Sequence, residues 1–553
     1  MKISRIVCTF MGMLALCLSL EGQAQDLYRN PLLPGFYPDP SVCRVGEDYY
    51  MVNSSFEWFP GIPVHHSKDL VNWRQIGHVL DRPSQLNMKQ GMKASAGVWA
   101  PTIRYIKGKY YVIVTAKQCG NTFYVSSNKP EGPWSEPVYL PDSPGIDPSL
   151  FCDDDSVVWI CANDKFKEEE MVEGQTANEF IWLQRIDLEK GRLYGERYRL
   201  THGLTLQSRA TEGPHIYKIN GKYYLLTAEG MTWNNHAVAM FKSDKITGPY
   251  VACNGGEPVM THRHLPQSGD AITTTGHADL VQTQHGDWWA VMLAVRPVEG
   301  MNLLGRETFL CPVCWEGDEP KFAEDNGGRV AMSGPRPKLP LYAFSQLPAR
   351  DEFEEDFLRM SWNFLRTPQE KWYELRQGKL HLQLRPQRVE EPVTPSLVAR
   401  RVQHHHFTVA ASVEFAPESM NEEAGLVIMQ NSTNFYKLTL SGTADGERLV
   451  HLVKSDRRKN DVYETIESKV LPSGGTVVLG IEGVALEYRF YYNLHLENDR
   501  HTRVYIGDVQ DASVCASNRA GGFTGSYVGL YASSNGRTSV NSALFDWFEY
   551  SGK

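Results

Sequence analysis

The sequence predicts an all-β chain, a five-bladed β-propeller followed by a β-sandwich of concanavalin-like or jelly-roll type. Three observations carry that expectation. Aromatic residues make up 11% of the 553, beside 46 Gly and 31 Pro, a profile that suits pleated strands and tight turns better than helices. Five segments repeat one pattern, a small or Pro-containing turn and then two short β-type runs around a polar turn. Beyond about residue 350 the apolar residues alternate with the period of strands, with no helical stretch.

The N-terminus comes first. Lys2 and Arg5 precede an apolar run from Ile6 to Leu20 and then small and polar residues to Ala24. The run is shorter than the roughly 20 residues of a membrane span, so residues 1–24 read as a secretory signal peptide. A lipoprotein anchor at Cys17 would need a small residue before it, and Leu16 is not small. No later stretch is apolar enough to cross a bilayer. The expected mature protein is exported, periplasmic or secreted. Eight of the ten cysteines lie beyond the leader, too few for a disulfide scaffold in a chain this long. Cys311 and Cys314 form a lone C-x-x-C without a second ligand pair, so they read as strand cysteines rather than a zinc or redox site.

The repeats occupy residues 25–335. They start at Asp39, Ala100, Asp147, Gly213 and His277, and each carries a hairpin turn such as Lys107-Gly108-Lys109 or Asn220-Gly221-Lys222. One such unit cannot bury both faces of its sheet, so the units must pack on one another, and radial packing makes a propeller. The runs Thr122 to Ser127 and His236 to Ser243 supply further strands. Residues 336–350, rich in proline, read as a linker strapped across a surface. Residues 351–553 hold the alternating strands LHLQL, FTVAASVEF, GLVIMQ, FYKLTL and YVGLYAS, which suggest the sandwich.

A propeller aims the start of each innermost strand at a common channel. Asp39 and Asp147 stand there in the shared context D-P-S, and Glu212 precedes Gly213-Pro214. Taken singly, an acid beside Gly or Pro often only starts a turn. Three acids at one phase of three repeats point to a site. Neighbouring carboxyls raise one another's pKa, which leaves one group as a base and another as a protonated acid, the pair that glycoside hydrolysis uses. Phe56, Trp58, Trp99 and Trp233 lie in adjacent loops as candidate sugar-stacking platforms, and His277 and Arg306 add hydroxyl-binding donors. The net charge of −9 gives no footprint for nucleic acid.

At these residues the chain resembles a known family. FYPDPSVCRVGEDYYMVNSSFEWFPG, GVWAPTIRY, GIDPSLF, ATEGPHIYK, TGHADLV and LGRETFL resemble glycoside hydrolase family 43, in its β-xylosidase/α-L-arabinofuranosidase branch with a C-terminal sandwich. DEFEEDF and GGFTGSYVGLYA are similar to that sandwich. The resemblance implies that Asp39 is the general base, Glu212 the general acid, and Asp147 the residue that orients the acid and tunes its pKa. It implies inversion, with the two carboxyls about 6.5–9.5 Å apart. It also implies a sugar pocket holding His277 and Arg306, walled by Phe56 and Trp99 and closed by Phe523 from the sandwich, hence exo-action on terminal β-D-xylose or α-L-arabinofuranose. The expected partners are oligosaccharides from plant polysaccharides such as xylan or arabinan. No cofactor is required; the resemblance leaves open a bound calcium beside the channel histidine, and an oligomer. One departure is that the family's TAEGG reads TAEGM here, ending at Met231. The remaining readings are a carbohydrate-binding propeller without catalysis, against which the three intact acids speak, and a structural surface protein.

Overall fold

The computed structural model describes residues 26–233, 235–265, 271–456, 462–495 and 500–553. The signal-peptide reading and Cys17 lie outside the described residues. Five four-stranded antiparallel units run in chain order, and we name them blades I to V. Their first strands are Ser41–Val45, Gly97–Ile106, Ser149–Cys152, Glu212–Ile219 and Thr273–Gln282. These first strands touch in a closed ring, blade V returning to blade I, so they form the channel wall. In blade IV a further short strand, Met260–Thr261, pairs with the third. The N-terminal segment closes the circle: Leu27–Arg29 pairs with Ser333–Pro335. The Asn30 side chain also exchanges hydrogen bonds of 2.9 and 2.8 Å with the Leu310 backbone of blade V.

The hairpins form for local reasons. Lys107 and Gly108 take φ of 50° and 85°, Asn220 and Gly221 take 51° and 82°, and positive φ at both central residues matches the right-handed twist of the strands. Prolines mark other corners. The proline-rich segment after Pro335 runs over blade I, where the Tyr342 N–H donates to Asp69 at 2.9 Å and the Arg74 guanidinium lies 4.8 Å from the Phe344 ring.

The C-terminal part is two sheets packed face to face, one of eight strands and one of seven that a strand from blade I extends to eight. Period-two patterning explains their core: along His406–Glu414 and just beyond it, Phe407, Val409, Ala411, Val413 and Phe415 all join the central apolar cluster. A four-residue helix, Ser517–Ala520, and the 3-10 turns Arg500–Thr502 and Ala512–Cys515 interrupt the strands, a departure from the expectation of no helix. One sheet does not end at the domain boundary. Its edge strand Asn363–Leu365 pairs with Trp58–Phe59, which belong to a loop of blade I. The apolar cluster is likewise shared, with Val52, Phe59 and Val64 of blade I alongside Phe364, Leu426 and Leu438 of the sandwich. The two parts are therefore built as one hydrophobic body, and this joint positions the site.

Candidate active site

Each of the five repeat starts adopts the left-handed backbone region: φ is 51° at Asp39, 27° at Ala100, 55° at Asp147, 57° at Gly213 and 46° at His277. For a residue with a Cβ that conformation costs on the order of 1–3 kcal/mol, and it tends to persist where it serves a site. Register shifts between Trp99 and Thr102, Glu212 and His215, and Gly276 and Asp279 break the ladder at the same level of blades II, IV and V. Such bulges re-aim side chains, here into the channel mouth. The repeat phase corrects one expectation. Asp39 and Asp147 are equivalent, but blade IV has Gly213 at that position and Glu212 stands one residue ahead. A side chain on Gly213 would meet the His277 ring at 3.0 Å, so the crowded phase is left to glycine and the acid is carried by the preceding residue.

One pocket is lined by eight of the ten residues singled out from the sequence, Asp39, Phe56, Trp99, Asp147, Glu212, His277, Arg306 and Phe523, joined by Ala100, Ile146 and Thr232. Trp58 is not among them: it is 1% exposed and stacks on Tyr527 at 3.6 Å, so it packs the domain joint and is no sugar platform. Trp233 lies at the rim, stacked on Phe523 with centroids 6.0 Å apart. Phe56, Trp99 and Phe523 meet pairwise at 5.8 to 6.1 Å, and the Arg306 guanidinium lies 5.5 Å from Phe56 and 5.8 Å from Phe523.

The carboxyls differ in environment. Asp39 Oδ1 accepts from Arg306 at 2.8 Å and Oδ2 accepts from the Ser54 hydroxyl at 2.6 Å. Burial alone would raise this carboxyl, but Arg306, His277 and Ser54 outweigh it and hold it below the usual range. Asp147 accepts the Gly213 N–H, at 3.1 Å; burial, opposed by His277 but reinforced by the Asp39 charge, pushes it up to about 6. Glu212 is raised well above an ordinary glutamate by burial and then by Asp147 and Asp39. The pocket thus sets a carboxyl whose surroundings favour its charged form beside one whose surroundings favour its neutral form.

Two to four residues onward along the inner strands, the channel is plugged. Asp279 accepts from both Arg104 nitrogens, at 2.8 and 3.1 Å, from Tyr217 at 2.6 Å and from Ser41 at 2.7 Å. His215 Nδ1 lies 2.9 Å from Arg104, and burial pushes that imidazole down to about 3, so it is neutral. Calcium takes six to eight oxygen ligands. Here the channel's cation is a guanidinium, and the one buried acid of this ring is saturated by it, so the residues do not fit a calcium ion. Among the described residues no cluster of His, Cys, Asp and Glu is placed to hold a metal. All eight cysteines among the described residues are free; Cys311 is buried while Cys314 is exposed, with its thiol donating to Glu324.

Sequence comparison agrees with this geometry. Residues 28–320 match glycosyl hydrolases family 43, and residues 350–551 match the β-xylosidase C-terminal concanavalin A-like domain. The chain belongs to glycosyl hydrolase family 43. It is 37% identical over 535 residues to a non-reducing end α-L-arabinofuranosidase, BoGH43B, of Bacteroides ovatus, covering 95% of each chain. It is 37% identical to a xylosidase/arabinosidase of Butyrivibrio fibrisolvens, covering 94% of this chain and 98% of the other. Among solved structures, a xylan β-1,4-xylosidase from Bacillus halodurans superposes with a TM-score of 0.87 at 34% identity, over 95% of this chain and 99% of that one. This family 43 glycosidase therefore shares its two-part architecture with relatives along nearly the whole described chain. Thr232 and Ser54 were not legible from motifs: Thr232 receives an Arg306 hydrogen bond of 3.0 Å, and Ser54 reaches Asp39 from blade I's loop.

Proposed function

We propose that the protein is an exo-acting, inverting glycosidase that removes terminal β-D-xylose or α-L-arabinofuranose from plant-derived oligosaccharides. The observation that carries this reading is the pairing, in one pocket capped by the sandwich residue Phe523, of Asp39, which Arg306 and Ser54 hold toward the carboxylate form, with Glu212, which burial and two neighbouring acids push toward the protonated form. Asp39 is the base: Arg306 and Ser54 hold its carboxylate in place while it takes a proton from the attacking water. Glu212 is the acid: it delivers its proton to the leaving oxygen as the glycosidic bond breaks. Asp147, bonded to the N–H beside Glu212, keeps that acid protonated through its own charge and fixes its position. Phe56, Trp99 and Phe523 cover the apolar faces of one sugar, and a pocket roofed by a second domain favours chain ends over a through-going groove. The relatives' activities support a pentose. We also propose that the chain acts after export, which the charged, apolar and small residues of positions 1–24 support, and that it requires no cofactor, which the Arg104 plug supports.

The test is initial rates on aryl β-D-xyloside and aryl α-L-arabinofuranoside with Asp39→Ala and Glu212→Ala. Turnover that falls by a factor of about 10² or more in both variants supports the two-carboxyl reading, and the wild-type rate ratio names the sugar. A folded wild-type protein inactive on both substrates refutes it.

A further inference from the structure

Three walls of the pocket come from separate places in the chain: Phe56 from blade I, Trp99 from blade II and Phe523 from the sandwich. One small residue outside the pocket lining touches the support of each. The Ser95 N–H donates to the Glu57 carboxylate at 2.8 Å, next to Phe56. Its carbonyl accepts the Trp99 indole N–H at 2.9 Å. Its hydroxyl oxygen accepts the Phe523 backbone N–H at 2.8 Å. Ser95 is 7% exposed and has a φ of 62°, a strained placement for a residue with a Cβ.

Neighbouring geometry shows that the sandwich loop is shaped to this residue. Gly522 has a φ of 88°, and a Cβ there would sit 2.5 Å from the Ser95 hydroxyl. Gly525 leaves room for the Leu304 carbonyl, which a Cβ would approach to 2.2 Å. The loop therefore reaches the pocket with glycines at both points of closest approach, and Phe523 lies between them with its N–H on Ser95. On the other side Glu57 is fixed by the sandwich, since its carbonyl accepts the Arg366 N–H at 2.8 Å.

We propose that Ser95 is the positioning residue of the sugar pocket, and that its hydroxyl sets the placement of Phe523 over the bound sugar. It does not touch the reacting atoms. It acts through the aromatic walls, so its loss weakens binding of ground state and transition state alike, which raises KM with little change in kcat. The inference rests on the pentosidase reading above.

The experiment is a double-mutant cycle on the full chain, with the aryl pentoside that the wild-type protein turns over faster. Ser95→Ala removes the hydroxyl and keeps the backbone contacts to Glu57 and Trp99. Loss of one neutral hydrogen bond corresponds to a rise in KM of about 3- to 10-fold, with kcat within roughly twofold. In a Phe523→Ala background the same substitution is expected to change KM by less than about twofold, because the residue it acts through is gone. Ser95→Gly, which takes the positive φ without strain, carries the same comparison if the alanine variant folds poorly. An unchanged KM in the single variant, or full additivity with Phe523→Ala, overturns the proposal. Absence of wild-type turnover instead overturns the underlying pentosidase reading, so the two failures are distinguishable.

Discussion

The strongest handle on the proposed base is Ser54, which the motif pattern does not single out. Its hydroxyl donates to Asp39 at 2.6 Å and accepts the Ala100 N–H at 2.7 Å, so it links the acid of blade I to the equivalent position of blade II. Ser54→Ala deletes a hydrogen bond to a charged group, worth about 1.5–3 kcal/mol. At about 1.36 kcal/mol per pH unit, that is roughly one to two pH units of carboxylate stabilisation. The sign is fixed by the role. Asp39 must be ionised to take a proton from water, so a less stabilised carboxylate protonates at higher pH and the acidic limb of the kcat/KM profile moves up. The basic limb, which reports loss of the Glu212 proton, stays where it is, because Ser54 does not contact Glu212. The assay is kcat/KM for the aryl pentoside across pH in wild type and variant, with thermal melts to confirm folding. An acidic limb that stays put, or a shift of the basic limb alone, refutes Asp39 as the rate-limiting ionisation.

Two further outcomes follow from the same geometry. Glu212→Gln should melt higher than wild type at neutral pH and Asp39→Asn lower. Glu212's folded value exceeds its unfolded one, so the unfolded chain releases that proton first and stability falls as pH rises toward the folded value, a loss that glutamine removes. Asn at 39 leaves the Arg306 guanidinium buried without its partner, at a cost on the order of 3–5 kcal/mol. Melting curves from pH 5 to 8 decide it, and a Glu212→Gln advantage that does not grow with pH contradicts the reasoning. Separately, exhaustive chelation followed by added calcium should leave kcat/KM within about twofold, because a bound guanidinium takes the carboxylate that calcium would need; activity lost on chelation and restored by calcium would sink the Arg104 argument.

How far the sequence could be read depended on how local each constraint was. The repeat starts were legible because each is written in three adjacent residues, a kinked position, usually a proline, and a residue of the innermost strand. The strands after residue 350 were legible because YVGLYAS and its counterparts alternate on their own. The phase of Glu212 was misread by one residue. Nothing in E-G-P reveals that the His277 ring of the next blade crowds the Gly213 position, and that contact decides which residue carries the acid. Trp58 failed in the same way: its neighbours Phe56 and Trp99 do wall the pocket, but its own strand pairing runs to Asn363–Leu365, some three hundred positions along the chain, and turns it into the joint.

The domain joint is where this matters for chemistry. Phe523 entered the sequence reading only through resemblance, because no pattern within G-G-F-T-G says what it faces. Its glycines acquire a reason only once Ser95 and Leu304 are placed against them, and Ser95 acquires one only once Glu57, Trp99 and Phe523 converge on it. The carboxyl chemistry belongs to the propeller and repeats with it. The single-sugar enclosure does not repeat: it is made once, where a loop of blade I completes a sheet of the sandwich and the sandwich returns a loop to the channel mouth. A propeller expressed without residues 351–553 would keep all three acids and lose the roof, together with the apolar partners of Val52, Phe59 and Val64. The sandwich is therefore part of the active site in the physical sense, since the enclosure that would make the enzyme exo-acting is built from both halves.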